Sequence, residues 1–596
     1  MSLIAQIKQA TTTAILNLYD VTLADSTILV NATKPEFEGD YTVVLFAFVK
    51  QLKKSPDALG QELGSYLVAN NPHLFVGFNV IKGFLNLSIA DSFWISFLQS
   101  QYANTSYGLA PKNGEKVMVE YSSPNTNKPL HLGHLRNNFL GWSIAEILKA
   151  NGYEVVKTCI VNDRGIHICK SMVAWQLFSN GATPESVGMK GDHFVGDYYV
   201  KFNDEYKIQI DELISSKGIT KELAEKQAPI MLAAQKMLLD WEAGDPEVMS
   251  LWERMNTWVY AGFNATYKAI GSDFDRTYYE SKTYLLGKDL VEKGLSKGVF
   301  YQKEDSSVWI DLTGDGLDEK IVRRKDGTSV YITQDIGLAV DKFEEYHCNK
   351  SIYVVGDEQN YHFKVLKLIC QKLELPSSDG IFHLSYGMVE LPTGKMKSRE
   401  GTVVDADDLV AEMVAISQQK TEELGKVKDF AEGDLAELYN TIGLGALKFF
   451  LLRVDPKKKM VFNPEESIEF QGFTGPFIQF IHARIKSILR KMAAEGMVIK
   501  SIAVQQDLLP LEKAIVVELE LFPTIIQDAA ADYDPSKVAI YVYNLAKTFS
   551  SFYSELSIAN AETEEKKMLR LQLAQLTAQV LKTGMKLLGA DVPERM

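Results

Sequence analysis

Residues 120–134 read EYSSPNTNKPLHLGH and follow a short, strand-like apolar run. Their proline, asparagine and threonine residues favour a loop, and apolar periodicity downstream predicts a helix. A helix that begins near Pro129 would carry His131 and His134 three residues apart on its first turn. The backbone N–H groups and the dipole of such a terminus favour an anion, and Gly133 lets a ligand approach the backbone. The stretch therefore predicts a phosphate site, with a capped helix bearing two solvated histidines as the alternative.

A parallel sheet is predicted around this loop. The run 117–120, the histidine-bearing helix and the run 154–161 form a β–α–β unit, which is typical of the first half of a nucleotide-binding sheet. Further sheet-like runs are 308–310, 330–332 and 351–356. We expect them to complete a doubly wound, Rossmann-like α/β domain.

The pattern of apolar residues divides the chain into four parts. Residues 1–110 predict a small α/β module with paired strands. Residues 111–405 predict the Rossmann-like domain, with a polar helical insertion at about 185–270. Residues 406–470 predict a helical linker, and residues 471–596 an α-helical bundle. The expected fold class is thus a multidomain α/β protein.

Composition excludes several classes of protein. With 46% hydrophobic and 23% charged residues the chain matches ordinary globular proteins, and no uninterrupted run of about 18 apolar residues predicts a membrane span. The N-terminal residues predict an amphipathic helix rather than an export signal, so we expect a cytoplasmic protein. The 4 cysteines form no C-x-x-C pair, which argues against a disulfide framework or a structural zinc site.

The net charge of −14 argues against a nucleic-acid partner, because phosphate contacts need lysine and arginine. Local charge qualifies that argument. Residues 471–596 carry as many basic as acidic residues, and Arg484, Lys486, Arg490 and Lys491 lie together on one predicted helix. This face fits a nucleic acid, and a solvated charged surface is the alternative.

A second group of polar residues predicts an acidic slot. Tyr331 and Asp335 lie four residues apart near the predicted start of a helix, and Glu120 ends a predicted strand. If the three converge at the carboxyl edge of the sheet, they suit a guanidinium, whose planar donors form paired, charge-assisted hydrogen bonds. Taken singly, each could instead be a capping or surface residue.

The stretch 120–138 resembles the first signature of the class I aminoacyl-tRNA synthetases. Its Ser-Ser-Pro-Asn-x-x-Lys-Pro-x-His-x-Gly-His-Leu-Arg form is similar to that of the arginyl-tRNA synthetases. The resemblance implies that His131, Gly133 and His134 bind ATP.

The same resemblance implies an arginine site. In that family the matching carboxylates and tyrosine hold the guanidinium, which here are Glu120, Tyr331 and Asp335. The residues that match Asn125 and Gln359 hold the α-amino and carboxylate end of the substrate.

Residues 391–404 resemble the second, lysine-rich signature of the class, whose consensus is Lys-Met-Ser-Lys-Ser. The resemblance assigns Lys395 and Met396 to ATP and makes Lys395 catalytic, but the place of the second lysine is taken by Ser398. Family members that share this gap carry a lysine just before the first signature, which here is Lys128. An exposed turn with ordinary charges is the alternative.

Residues 473–484 and the final four residues resemble the anticodon-binding domain of the same family. Phe477, Phe480 and Met596 are therefore expected to contact tRNA. Phenylalanine stands at two positions where tyrosine is common, so base stacking is retained and hydroxyl contacts are lost. Both rings could instead face the core of the bundle. The N-terminal module resembles the domain that the family places against the tRNA elbow.

Together these features imply that the chain activates L-arginine with ATP, with Mg²⁺ on the phosphates, and transfers it to tRNA(Arg). A monomer is expected. Two alternatives remain: another class I adenylyl-transferring enzyme, which would share His-x-Gly-His, and a non-enzymatic tRNA-binding relative, which would have decayed signatures.

Overall fold

A five-stranded parallel sheet lies in the middle of the chain, in the order β12-β11-β5-β6-β7. The computed structural model describes residues 2–34, 36–376, 378–392, 404–423, 430–501 and 507–596. Strand β5, which leads into the histidine-bearing loop, is the central strand, and its residues 117–120 are buried. A strand with neighbours on both sides and covered faces requires such an apolar run.

The N-terminal part is a four-stranded antiparallel sheet in the order β1-β2-β4-β3, covered by helices. Its elements are α1 (Leu3–Tyr19), β1 (Val30–Ala32), β2 (Tyr41–Val44), α2 (Phe46–Leu52), α3 (Pro56–Asn70), β3 (Phe75–Ile81), β4 (Phe84–Ile89) and α4 (Asp91–Gln101). Ser2 caps α1 by accepting the amide of Ala5 at 3.3 Å.

The central part alternates strands and helices, as a doubly wound sheet requires. Its first elements are β5 (Lys116–Glu120), α5 (Leu132–Ala150), β6 (Glu154–Val161), α6 (Ile166–Phe178), α7 (Pro184–Val187), α8 (Gly191–Lys217), α9 (Lys221–Gln227), α10 (Pro229–Glu242), α11 (Pro246–Ile270) and β7 (Arg276–Tyr279). Helices α6 to α11 thus separate two strands that are neighbours in the sheet.

The remaining central elements include a small antiparallel sheet, β8 to β10. They are α12 (Glu280–Thr283), α13 (Lys288–Ser296), β8 (Tyr301–Gln302), β9 (Val308–Ile310), β10 (Lys320–Arg323), α14 (Tyr331–Tyr346), β11 (Lys350–Gly356), α15 (Asn360–Lys372), β12 (Ile381–Tyr386) and β13 (Val389–Glu390).

The C-terminal part is helical except for β14, which pairs with β13. Its elements are α16 (Ala406–Glu423), α17 (Glu432–Leu452), β14 (Met460–Val461), α18 (Pro464–Ser467), α19 (Gly475–Ala494), α20 (Pro510–Asp532), α21 (Ser536–Glu555) and α22 (Glu564–Leu587). The predicted fold class, with a parallel sheet between an α/β module and a helical bundle, is confirmed.

Two predicted members of the parallel sheet are wrong: residues 308–310 form β9 of the small antiparallel sheet, and residues 330–332 are not a strand. Residues 330–332 read as a sheet-like run, but α14 begins at Tyr331 and Val330 is its N-cap. The hydroxyl of Thr333 donates to the carbonyl of Val322 in β10, so a contact from outside the segment ties its first turn in place. Tertiary contacts of this kind override the β propensity of short β-branched runs.

Close packing fixes the end of β5 against α5. At Gly141 of α5 a Cβ would lie 2.4 Å from the Tyr121 side chain, so only glycine allows this approach. Ser122 follows with φ of 79°, a conformation that costs energy for a non-glycine residue. The side chain of Asn137 holds it: its oxygen accepts the amide of Ser122 at 2.5 Å and its Nδ2 donates to the carbonyl of Val354 at 2.7 Å.

Helix α17 is long and apolar enough to cross a membrane by length and composition, and 67% of its most apolar stretch is buried inside the fold. Such burial is what the core helix of a globular protein shows. The cysteines are buried and free of disulfides, as predicted, at positions 159, 169, 348 and 370.

Candidate active site

His131 and His134 lie at the carboxyl end of β5, where α5 begins. Helix α5 starts at Leu132 rather than near Pro129, and His131 is its N-cap. The Nδ1 atom of His131 accepts the amide of Gly133 at 3.1 Å, and Nδ1 of His134 accepts the amide of His131 at 3.2 Å. The ring centroids are 4.0 Å apart. The predicted pair is therefore present, built as a reciprocal capping box.

These contacts fix the chemical form of both rings. A ring nitrogen that accepts a hydrogen bond carries no proton, so each neutral imidazole holds its proton on Nε2. Burial lowers the pKa of His131 to about 4, assisted by the charge of Lys128, and burial also lowers that of His134, with His131 and Lys128 adding to the effect. At neutral pH the pair offers two neutral Nε2–H donors.

The backbone of this helix terminus is already satisfied. Besides the amide of Gly133, the amide of Leu132 donates to the carbonyl of Val404 at 3.1 Å, and that of His134 donates to the carbonyl of His131 at 2.7 Å. The prediction that orphan N–H groups receive the anion is thus wrong for this arrangement. The imidazole Nε2 atoms are the donors that remain.

Lys128 lies two residues before the apolar Leu130 and lines a cleft of about 230 Å³ with His131. The opposite wall comes from α8, including His193 and Tyr199. The structure therefore places Lys128 beside the histidine pair, as the sequence predicts, and its charge contributes to the lowered pKa of both rings.

Glu120 is buried at the end of β5, 7% exposed, but it is not unpaired. Its Oε2 forms an ion pair with Lys342 of α14, which is 2% exposed, and also accepts the hydroxyl of Thr158 at 3.4 Å. The ammonium of Lys342 lies 4.9 Å from the ring centre of Tyr353 and 5.4 Å from that of Tyr278. Sequence reasoning missed Lys342, which neutralises a carboxylate assigned to the substrate.

Asp335 also has a protein partner, since its Oδ2 lies 2.7 Å from Nε2 of His362 on α15. Tyr331 precedes it by one helical turn, and its side chain is 70% exposed. No sequence pattern predicts this contact with His362. The structure places Tyr331 and Asp335 on successive turns at the start of α14, with Asp335 half-buried and Tyr331 open to solvent.

Asn125 and Gln359 are both exposed at the carboxyl edge of the sheet. Asn125 forms a parallel bridge with Asn162 beyond β6, and Gln359 ends the short 3-10 turn that follows β11. Because β11 and β5 are neighbours, Gln359 and Glu120 follow adjacent strands. The assigned residues therefore share one edge of the sheet.

Glu280 is a further acidic residue at this edge that sequence reasoning missed. It begins α12 directly after β7, and burial raises its pKa to about 7, with Asp163 and Asp335 adding to the rise and Arg164 opposing it. Glu280 therefore follows a strand of the same sheet and lies within electrostatic range of Asp335. Its position after a strand of the sheet was the available signal.

Lys395, Met396 and Ser398 lie outside the described residues, in the gap between residues 392 and 404. Their assignments stay predictions.

A second cleft lies in the C-terminal part. Among its lining residues are Phe480, Arg484 and Met596, with Arg490 and Arg595 beside them. The guanidinium of Arg484 lies 4.6 Å from the ring centre of Phe480. The structure thus brings together two of the three residues predicted to contact tRNA with Arg484 and Arg490 of the predicted basic face, and it adds Arg595.

Phe477 lies outside that group of lining residues and packs 5.6 Å from the ring centre of Tyr543. Both phenylalanines are half-buried. Lys486 and Arg490 of the predicted basic face contact Glu594, at 3.0 Å to its carboxylate and 2.8 Å to its carbonyl.

Comparison with known proteins matches three parts of the chain. A family model described as "tRNA synthetases class I (R), catalytic domain" matches residues 98–463, more than half of the chain. Models of the arginyl-tRNA synthetase N-terminal domain and of the DALR anticodon-binding domain match residues 2–89 and 478–596. Together with the parallel sheet and its His-x-Gly-His turn, these matches define a class I aminoacyl-tRNA synthetase.

Relatives specify the family. The chain is 53% identical to an arginine–tRNA ligase of Parabacteroides distasonis, covering 99% of each chain, and 52% identical to one of Flavobacterium psychrophilum, covering 100% of each. Its fold matches the arginyl-tRNA synthetase of Thermus thermophilus with a TM-score of 0.79 at 24% identity, covering 99% of each chain. The chain belongs to the arginyl-tRNA synthetase family.

Proposed function

We propose that the described site divides into a phosphate side, formed by Lys128, His131 and His134, and an arginine side, formed by the acidic slot. The family's reaction joins arginine to tRNA with ATP as substrate. The observation that supports this division is that both groups meet at one edge of a single parallel sheet. The histidine loop and Glu120 lie at the end of β5, and Gln359 and His362, the partner of Asp335, follow the neighbouring strand β11. Ligands of such sheets bind outside the carboxyl ends of the strands.

On the phosphate side, two Nε2–H donors are aimed by backbone contacts at the place where negative charge develops. The arginine carboxylate attacks the α-phosphorus of ATP, an O–P bond forms, and the bond to the β-phosphate breaks as pyrophosphate leaves. His131 and His134 donate to the phosphates, and Lys128 adds positive charge. Gly133 keeps the helix terminus accessible, and Lys395 and Met396 are assigned to ATP by resemblance.

On the arginine side, Asp335 and Glu280 are the carboxylates for the guanidinium, with Tyr331 beside them. Glu120 is already neutralised by Lys342, so it contributes a hydrogen-bond acceptor rather than net charge. Asn125 and Gln359 receive the α-amino and carboxylate end. The slot thus keeps enough negative charge for one guanidinium.

Mg²⁺ would arrive on the phosphates of ATP. Among the described residues, one group has metal-ligand spacing, Asp192, His193 and Asp407, and its carboxylates already pair with Lys190 and His193. That group does not fit a hydrated, octahedral Mg²⁺, which takes oxygen ligands. We assign no residue to the ion.

The tRNA contacts are assigned to the C-terminal cleft. The C-terminal cleft combines the Phe480 ring with the guanidinium groups of Arg484, Arg490 and Arg595, which suits stacked bases and phosphates. Met596 lies in the same cleft, and Phe477 is assigned to the tRNA contact from outside the cleft lining. The terminal adenosine hydroxyl of the bound tRNA then attacks the carbonyl of the arginyl-adenylate and releases AMP.

One experiment tests the reaction as a whole: charging of total tRNA with labelled arginine, with the ATP–pyrophosphate exchange measured with and without tRNA. We expect charging with arginine alone among the twenty amino acids and exchange that requires tRNA. Exchange with a different amino acid would contradict the assignment of the slot. Absence of any exchange would favour a binding relative without catalysis.

A further inference from the structure

The first turns of helix α8 lie directly against the loop that carries Lys128 and His131. At Gly196 of α8, a Cβ would lie 2.8 Å from the ring of Pro129 and 3.6 Å from the Cα of Lys128. Helix α8 belongs to the helices between β6 and β7, to which the reaction assigns no role. Its close approach raises the question of what it does for the site.

Cationic side chains at the start of α8 also form ion pairs with carboxylates at the start of α16. The ammonium of Lys190 donates to Asp407 Oδ2 and to Thr266 Oγ1, each at 2.5 Å. The Nε2 atom of His193 lies 3.2 Å from Asp405 Oδ2 and 3.3 Å from Asp407 Oδ2. Two cations from one element therefore hold two carboxylates of another.

Those carboxylates belong to the segment that pairs with the histidine loop. Residues 404–406 pair with residues 130–132 through backbone bonds of 3.1 and 3.0 Å, which flank the antiparallel bridge between His131 and Asp405. The Oδ1 atom of Asp405 also accepts the amide of Asp407 at 2.8 Å and thereby caps α16. A displacement of Asp405 would move the backbone opposite His131.

We propose that His193 and Lys190 are positioning residues for the phosphate side: by holding Asp405 and Asp407 they fix residues 404–406, and through that pairing the N-cap geometry of His131. The inference rests on the proposed role of His131. It gives the helices between β6 and β7 a function, because α8 supplies both cations and contacts the loop through Gly196.

A bound metal ion is a different reading of the same group, and the contacts argue against it. Lys190 lies 3.1 Å from Asp192 Oδ2 and 2.5 Å from Asp407 Oδ2, so an ammonium already occupies the place between these carboxylates. The remaining ligand, His193, faces Asp405 and Asp407 as an ion-pair partner. Both contacts hold the carboxylates at the start of α16, where the ammonium takes the place of a metal ion.

The test is a double-mutant cycle between His193 and His131 in tRNA-dependent ATP–pyrophosphate exchange by the full-length enzyme. His193→Ala should lower kcat by up to about 10²-fold, as a small misplacement of a catalytic group does, and leave the KM for arginine unchanged. His193→Gln, whose amide can still donate to the carboxylates, should recover most of the loss. In the His131→Ala background, His193→Ala should leave kcat nearly unchanged.

His347→Asn is the control, because His347 is exposed at the C-terminal end of α14 and asparagine tolerates its left-handed backbone conformation. If His193→Ala does not fold, the same cycle uses Lys190→Met and Asp407→Asn, which remove the other contact from either side. Equal losses in both backgrounds, or no loss in the wild-type background, would overturn the proposal. If His131→Ala alone has no effect on exchange, the proposed role of His131 fails instead.

Discussion

The phosphate side and the arginine side of the site hold their polar groups by different means. On the phosphate side, His131 and His134 are neutral and are aimed by backbone amides, two to three residues away. On the arginine side, the carboxylates of Glu120 and Asp335 meet cationic or titratable partners from distant elements, Lys342 and His362.

The difference follows from the ligands. A transition state that gains negative charge is stabilised by donors that are already oriented, and local backbone contacts orient them at little cost. A slot for a cation must hold carboxylates near one another before the cation arrives, and their repulsion has to be offset by the protein.

The largest expected effect concerns the buried pair on the arginine side. Lys342→Met leaves Glu120 as a buried charge without its partner, which should lower the free energy of unfolding by about 3–5 kcal/mol. Replacing both members, Lys342→Met with Glu120→Gln, should recover most of that loss. Urea unfolding followed by tryptophan fluorescence measures both. A wild-type unfolding midpoint for the single variant would show that Glu120 needs no compensation.

Asp335→Asn should specifically impair arginine use. It keeps the shape of the side chain but removes the charge offered to the guanidinium, at a cost of about 2–5 kcal/mol in kcat/KM for arginine, with the KM for ATP unchanged. Asp341→Asn, at an exposed position of the same helix, is the control. Equal kinetics for wild type and Asp335→Asn would move the slot elsewhere.

Lys128→Ala tests the phosphate side. Loss of a charge that acts in the transition state should lower the kcat of tRNA-dependent exchange by about 10²–10³, or about 2.7–4 kcal/mol, with little change in the KM for arginine. Adding Ser398→Lys should restore part of it, because it returns the second lysine of the signature. The exposed Lys112→Ala is the control. Unimpaired exchange would assign the charge to Lys395, Lys397 or Arg399.

Substitutions at the C-terminal cleft are expected to have a smaller effect. Phe477→Ala combined with Phe480→Ala should raise the KM for tRNA, since stacking contributes about 1–3 kcal/mol per base, and leave arginine affinity alone. Phe480→Ala should carry the larger part, because its ring lines the cleft with Arg484 whereas Phe477 packs near Tyr543. A lower melting temperature with unchanged KM for tRNA would place both rings in a structural role.

Features formed by residues close together in the chain were predicted from the sequence, and contacts between residues far apart in the chain were missed. The loop after β5, the histidine pair and the acidic residues of α14 follow from turn residues, apolar periodicity and the family's signatures. Lys342 lies 222 residues from Glu120, and no local pattern joins them. His362 was missed for the same reason, since only the packing of separate elements brings it to Asp335, whereas the position of Glu280 after a strand was a signal that could have been used.

The start of helix α5 was predicted wrongly for a different reason. His131 was not expected as an N-cap because serine, threonine, aspartate and asparagine are the usual caps. Its ring nitrogen accepts an amide as a capping oxygen would. Helix α5 therefore begins at Leu132 rather than near the predicted Pro129. With the helix starting there, the amides of its first turn are already bonded, and the ring Nε2 atoms remain as the donors for the proposed phosphate.

The last prediction separates the two sides by pH. Burial raises the pKa of Glu280 to about 7 from its usual 4.5, so its carboxylate is protonated as the pH falls through 7 and the slot loses negative charge. The KM for arginine should therefore rise about tenfold between pH 8 and pH 6.

The pKa shift on the phosphate side has the opposite sign. Burial lowers the pKa of His131 to about 4 from 6.5, so the ring is neutral across that whole range and the KM for ATP should stay flat. Glu280→Gln should abolish the pH dependence of arginine use without creating one for ATP, in exchange assays from pH 5.5 to 8.5. A KM for ATP that changes near pH 6.5 would show that the histidine pair is solvated, and a flat KM for arginine would remove Glu280 from the slot.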